Sequence, residues 1–346
     1  MTIPPFDPVI RDGRMYGRGT CDTKAGLATM MHALASLKEA GITPPCEVLL
    51  AAVVDEEYSY RGVVRLCQDL RADAAIVAEP TELRAVIATK GVLRCRITVH
   101  GRSAHSSKPH LGINAITQMA RLITAIEEDS QRLQSRQHPL TGHGTCNIGV
   151  ITGGVQVNFV PDRCSIELDR RLLPGESAQD ALTSYRHLLA KYSTHHSPSE
   201  ALPHSTHHSP SEADAPSPYS TPHSPSEALP PSSPPLPPNS PSPSSHLPIH
   251  AELEDPVLLI DEALDTPPDS AVMQTAAQVL TAMGLDPAPC GVPFGCDASK
   301  LSRAGIPSIV FGPGSIDRAH TADEYVELDQ VEQAAEFQKR FLLSFT

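Results

Sequence analysis

Short continuous apolar runs closed by acidic residues, the first of them preceded by a segment of helical period, set the firmest limit on how this chain can fold. Across residues 24–40, Leu27, Met30, Met31, Leu34 and Leu37 recur at helical spacing until Gly41 stops the pattern. Residues 47–54 (EVLLAAVV) and 74–78 (AAIVA) are continuously apolar, as strands buried on both faces of a parallel sheet must be. Helix alternating with buried strand predicts an α/β layer. Asp55, Glu56 and Glu57 follow the first run and Glu79 follows the second. Those strand ends are where an open α/β sheet builds its sites.

The texture changes after Lys90. Residues 92–99 alternate like a half-exposed strand, 113–126 read as an amphipathic helix, 146–151 and 164–168 as strands, and 178–192 as a second helix. This order suggests a small antiparallel α+β domain inserted into the larger one. A helix over 271–283, a buried strand over 308–311 and a closing helix over 331–343 complete the pattern, so the large domain draws on both ends of the chain. The predicted organisation is 1–90 for the first part of the large domain, 91–192 for the small domain, and 251–346 for the second part.

Residues 193–250 stand apart. They hold 16 of the 34 prolines and half of the 16 histidines, and HSPSEA recurs from His196, His208 and His223. Too little apolar surface is available there to offset chain entropy, which predicts a disordered insertion.

A formal net charge of −13 argues against nucleic acid or an anionic membrane as partner. The eight cysteines (21, 46, 67, 95, 146, 164, 290, 296) form no CxxC pair and no disulfide framework, which points to reduced thiols in a cytoplasmic setting. No apolar run approaches the ~20 residues of a membrane span.

Acidic groups are placed as a metal pair needs them. Asp22 in GRGTCDTKAG, the Glu56-Glu57 doublet, Glu79 in VAEPT and the distant His320 in AHTADEYV supply carboxylate oxygens and an imidazole nitrogen. That is a ligand set for Zn²⁺ or a similar borderline ion, with a further carboxylate able to act as general base. Each residue also has a plainer reading. Asp22 could cap the helix starting near Lys24, the glutamates could form a solvated turn, and His320 could be an ordinary loop histidine. His105, between Ser103 and Ser106, could suggest a Ser/His pair, but no G-x-S-x-G elbow supports it. Arg171 could pair with Asp169 or Glu167.

The motifs GRGTCDTKAG, DEEYSYRG, VAEPT, HGRSAHSSKPHLGINAI, ITGGVQVNFVPDRCSIELDRRLLPGE, PFGCDASKL and FGPGSIDRAHTADEYVEL follow one another in an informative order. That order resembles the acetylornithine deacetylase and succinyl-diaminopimelate desuccinylase family, which also takes in aminoacylases and glutamate-releasing carboxypeptidases. The resemblance covers 1–192 and 251–346. It implies a three-layer catalytic domain with a mostly parallel sheet and a ferredoxin-like lid that also dimerises the chain.

The resemblance also implies a pair of zinc ions, with Co²⁺ or Mn²⁺ tolerated. Asp22 would bridge them, Glu79 would complete one shell, and Glu57 and His320 would hold the other ion. Glu56 would be the general base, and His105 would reach across a homodimer to stabilise an oxyanion. Asn158 and Arg171 would contact the substrate, and the amides of Gly312 and Gly314 would approach its carboxylate. The implied substrate is an N-acyl amino acid or a small peptide, cleaved at its amide bond. The family pattern opens with a His-x-Asp-x-x-Pro strand that has no counterpart here, the first histidine being His32. On that ground the chain is expected to be impaired at the ion held by Glu79. The rivals are a non-catalytic dimerising or binding remnant, and a dipeptidase or carboxypeptidase on the same scaffold.

Overall fold

Period-two alternation along short strands decides which helices each face of the large sheet can hold. In the computed structural model, which describes residues 1–193 and 250–346, this sheet has the strand order Cys290–Val292, Val86–Thr89, Ser308–Val310, Ala75–Val77. The outer pairings are parallel, and Val310 meets Val86 antiparallel at the centre. Ala85, Ile87, Ile309 and Phe311 point to one face. There they pack on Val272, Met273, Ala276 and Leu280 of helix Ala271–Ala282 and on Phe337 and Phe341 of helix Leu328–Ser344. Val86 and Val310 point to the other face, toward Leu264, Cys296 and Ala298. Helices Arg61–Asp69 and Ala298–Arg303 close that side through Val63 and Leu301, joined by Ile306 just beyond the second helix. The result is the expected α/β layering. Phe311 and Phe337 stack with centroids 3.9 Å apart, and each fully buried ring is worth roughly 1.5–3 kcal/mol over its exposed state.

Two expectations are corrected here. Residues 47–54 form no strand; Leu49 is 66% exposed and Val54 70% exposed. An apolar run becomes a strand only where a neighbour offers a ladder, and among the described residues none does. Helix Ala25–Glu39 lies where its period predicts, but its buried stripe is Gly26, Thr29, Ala33 and Leu37, while Met31 is exposed. The reason is close approach: a Cβ on Gly26 would stand 2.7 Å from Ala78 Cβ, so small side chains face inward.

The small-domain sheet is antiparallel, in the order His250–Leu253, Gly91–His100, Arg163–Leu172, Thr145–Gly153. Inward positions Cys95, Ile97, Val99, Cys164, Ile166, Leu168 and Leu172 pack on helices Ala115–Leu133 and Ala178–Ser193. Asn114 caps the first helix by accepting from the Thr117 amide at 3.0 Å. Ser177 caps the second by accepting from Gln179 and Asp180. Arg170 occupies an inward position as an ion, paired with the equally buried Glu176.

After residue 250 the chain first adds His250–Leu253 and Leu259–Asp261 to the strand Gly91–His100. It rejoins the large domain only beyond Asp261, later than the expected boundary at 251. The expected disordered insertion falls outside the described residues, apart from its two ends. Among the described residues, no helix is long and apolar enough to cross a membrane.

Candidate active site

A fully buried carboxylate sets the first wall of the site. Glu324 Oε1 accepts the backbone N–H of Cys21 at 3.0 Å and of Asp22 at 3.2 Å, while Oε2 takes Arg18 Nη1 at 2.7 Å. Arg18 also donates to the Thr321 carbonyl. The loop around Asp22 is thereby pinned to the loop that carries His320. Asp22 itself is extended, with φ −117° and ψ 93°, and helix Ala25–Glu39 starts from Lys24 without a side-chain cap. Asp22 is thus free of the capping role it could have had.

The second wall is the turn 55–60. Asp55 takes a positive φ of 69°, accepts the guanidinium Nε of Arg61 at 2.7 Å and the hydroxyl of Ser59, and its carbonyl accepts the Tyr60 amide. The turn sends neighbouring side chains apart: Glu56 goes inward and Glu57 outward. His320, also at positive φ, places Nε2 2.8 Å from Glu57 Oε1 and 3.3 Å from Asp22 Oδ2. One ligand atom from each of Asp22, Glu57 and His320 lies within 4.8 Å of the other two. Three residues separated by up to 298 positions in sequence therefore meet at one point.

Behind this triad the charge is one-sided. Glu79 is 6% exposed, and burial, then the charges of Glu56 and Asp22, hold its carboxyl well above the usual range. Glu56 is pushed up to about 7 by burial, then by Asp297, Glu57 and Asp22, with Lys300 opposing. Burial also raises Asp22, with Glu57 adding to it. His320 is raised, first by its hydrogen bond to Glu57. Carboxylates with so few cations among them, one of them ending in a buried Asp297 Oδ1 without a hydrogen-bond partner, fit a site made to receive a cation. Carboxylate and imidazole donors suit a divalent ion of the zinc type.

Sequence reasoning missed Glu324, Asp297 and Lys300. Each lies inside a motif already quoted (HTADEYV, PFGCDASKL), but nothing local marks which acid is buried.

The remaining expected residues are placed as follows. The loop after strand Ser308–Val310 runs between Glu79 and Cys21: a Cβ on Gly312 would meet the Glu79 carbonyl at 2.7 Å, and one on Gly314 would meet Cys21 Sγ at 2.6 Å. The Gly312 amide donates to Thr81 Oγ1 and the Gly314 amide to Gln330 Oε1. A substrate carboxylate taken there would have to displace those bonds. His105 and Asn158 sit together on the small domain, where Ala104–His105 pairs with Phe159–Val160 and the Ser106 amide donates to the Asn158 carbonyl. His105 is exposed, with Nδ1 bonded to Ser107. Arg171 donates to Asp169 at 2.8 Å, and Asp169 also accepts from Arg94.

The profile of peptidase family M20/M25/M40 matches residues 2–344. Acetylornithine deacetylase of Myxococcus xanthus is 29% identical over 334 residues, covering 93% of this chain and 70% of that one. The Proteus mirabilis acetylornithine deacetylase is 28% identical over 349 residues, covering 99% and 75%. Among solved structures, a tripeptidase from Staphylococcus aureus superposes with TM-score 0.69 at 21% identity, covering 97% of this chain and 75% of that one. Aminopeptidase PepT from Bacillus cereus superposes with TM-score 0.66 at 20% identity, covering 98% and 76%. A full-length family match and a convergent carboxylate–histidine cluster lead to one conclusion: the chain belongs to peptidase family M20/M25/M40, a family of metal-dependent hydrolases.

Proposed function

We propose that the chain hydrolyses the amide bond of N-acyl amino acids or related small amides that carry a free carboxylate. The convergence of Asp22, Glu57 and His320 beside the inward Glu56 carries this reading. The relatives named acetylornithine deacetylase support trying an N-acyl amino acid first as substrate.

Asp22, Glu57 and His320 are the residues that would hold a divalent ion, with Glu79 behind them; when bound, such an ion acidifies a water and polarises a carbonyl. Zinc is the first choice from the donor set, with cobalt or manganese compatible. Glu56 takes the proton of the attacking water as oxygen adds to the amide carbon. It then returns that proton to the departing nitrogen as the C–N bond breaks, giving a carboxylic acid and an amine. A carboxylate that first takes and then returns the same proton serves both halves of that exchange. Asn158 and Arg171 are proposed to contact the substrate, Arg171 with the part of its guanidinium fork not bonded to Asp169.

His105 is proposed to act across a homodimer. The surface beside it is unusually apolar: Val155 is 94% exposed, Val157 99%, and Ile151 and Phe159 are also uncovered. Val155, Val157 and Phe159 border a depression of about 430 Å³ shared with Asn114, Ile116 and Pro161. Exposed apolar patches of this kind mark association surfaces.

The deciding experiment incubates the purified full chain, loaded with Zn²⁺, with a panel of N-acetyl and N-succinyl amino acids and with dipeptides. Release of free amine from the acyl amino acids supports the proposal; cleavage of dipeptides alone overturns it in favour of a peptidase. No turnover with firm zinc binding would point to a binding protein.

A further inference from the structure

Tyr60 has a φ of 59°, in the left-handed region that a bulky residue keeps only where surrounding contacts over-determine it. Its amide donates to the Asp55 carbonyl at 2.7 Å, and its carbonyl accepts the Val64 amide at 3.0 Å. Tyr60 therefore closes the turn 55–60 and opens helix Arg61–Asp69. Within that turn Glu57 and Tyr58 are exposed, so the Tyr60 side chain is its main grip on the domain. The ring packs against Val63, Leu301 and Ile306, and the Lys300 ammonium lies 3.2 Å from its centroid.

The ammonium is itself held from the far side. It donates to Asp261 Oδ1, which also accepts Ser299 Oγ at 3.0 Å. The Asp261 side chain is fully buried, and its Oδ2 has no hydrogen-bond partner. A Cβ on Gly295 would stand 2.3 Å from that Oδ2, so the glycine leaves room for the carboxylate. A carboxylate enclosed in this way holds its cation firmly, because a buried charge without a partner is costly. Asp261 also ends the strand Leu259–Asp261, where it lies opposite Val92 of the small-domain sheet. A line of direct contacts thus runs from that sheet through Asp261, Lys300 and Tyr60 to the turn that presents Glu57.

We propose that Asp261 and Lys300 are positioning residues for Glu57: Asp261 seats the ammonium on the Tyr60 ring, and the seated ring locks the turn that brings Glu57 Oε1 within 2.8 Å of His320. This rests on the reading of Asp22, Glu57 and His320 as the residues that would hold a divalent ion. With the clamp released, the turn spends part of its time in other conformations, and the apparent affinity for the ion falls by the fraction lost.

The test titrates the full chain with Zn²⁺ against a chromophoric chelator. Tyr60→Leu keeps apolar bulk but offers the ammonium no ring face, and should weaken zinc binding about tenfold, the worth of one partly buried cation–ring contact. Tyr60→Phe keeps the face and should stay within about twofold of the parent chain. Asp261→Asn should also weaken zinc about tenfold, and combining it with Tyr60→Leu should add little, because members of one clamp are not additive. Unchanged affinity in Tyr60→Leu, an equal loss in Tyr60→Phe, or additive losses in the double variant overturns the proposal. Should Asp261→Asn fail to fold, the comparison of Leu with Phe at position 60 decides alone. Hydrogen exchange reads the same clamp without metal: the residue-60 amide should exchange about tenfold faster in Tyr60→Leu than in Tyr60→Phe. Equal exchange in the two variants would sink the clamp, whereas a parent chain that binds no zinc would sink the reading of the triad.

Discussion

Glu324 accepts the backbone N–H of Asp22 at 3.2 Å while its other oxygen holds Arg18 at 2.7 Å. One buried carboxylate thus fixes a ligand that lies about 300 residues away in sequence. The Glu324→Gln variant can still accept from the amides, but its –NH₂ would face the Arg18 guanidinium, donor against donor. Zinc affinity should fall about 10- to 100-fold, as for other outer partners of metal ligands, with the far-UV spectrum unchanged. A competition titration against a chromophoric chelator measures it. An unchanged affinity would mean that the Asp22 loop is held by other contacts.

Glu56 and its neighbour Glu57 should separate cleanly by experiment. Glu57→Ala and His320→Ala each remove a member of the triad, so both should lose the metal on gel filtration. Glu56→Gln should keep the metal and lose about 10²- to 10⁴-fold in kcat, the usual worth of a general base. Metal analysis of the purified variants alongside turnover distinguishes the two roles. Full turnover in Glu56→Gln would remove Glu56 from the mechanism.

Why these side chains could be picked out of the sequence while their supports could not is a matter of range. Asp22, Glu57 and His320 carry chemistry in their residue type, and strand ends are natural places for a site. Glu324, Asp297 and Asp261 matter because they are buried, and burial depends on which distant segments cover them. The residues 47–54 failed for the same reason: EVLLAAVV has the composition of a buried strand, but only a paired neighbour makes it one. The first helix was found by its period, yet its inward stripe is set by how closely Gly26 must approach Ala78, and periodicity does not encode that. The strands His250–Leu253 and Leu259–Asp261 went unseen because each is short and reads as loop until placed beside Gly91–His100.

Arg170 and Glu176 form an ion pair in which both side chains are nearly fully buried, at 6% and 7% exposed. The second oxygen of Glu176 accepts the Leu173 amide at 3.1 Å, and the guanidinium lies 5.6 Å from the Tyr185 ring centroid. Glu176→Ala leaves that guanidinium buried without a counter-charge, which should destabilise the fold by about 3–5 kcal/mol. Asp69→Ala, which breaks the exposed Arg65–Asp69 pair, should change it by less than about 1 kcal/mol. Urea unfolding followed by circular dichroism compares them; equal losses would show that the buried pair has no special weight.

Acid should loosen the small domain where the chain re-enters its sheet. Glu254 accepts Thr98 Oγ1 at 2.9 Å, Arg96 Nη1 at 3.1 Å and Arg163 Nη2 at 3.3 Å. The Thr98 hydroxyl does most to hold its carboxyl below the ordinary value of 4.5; burial opposes it, and the Arg96 and Arg163 guanidinia add to the lowering. A group depressed on folding contributes stability that is fully present above its unfolded pKa and is lost as pH falls through its folded pKa. The contribution from Glu254 should therefore be constant at neutral pH and disappear only below about pH 4.5. Glu254→Gln should lower Tm at neutral pH and flatten the acid limb of the Tm–pH curve, so that the two curves converge at low pH. Thermal melts across that range provide the check. Parallel curves would mean that Glu254 keeps its proton affinity on folding and that the Arg96 and Arg163 contacts act only through packing.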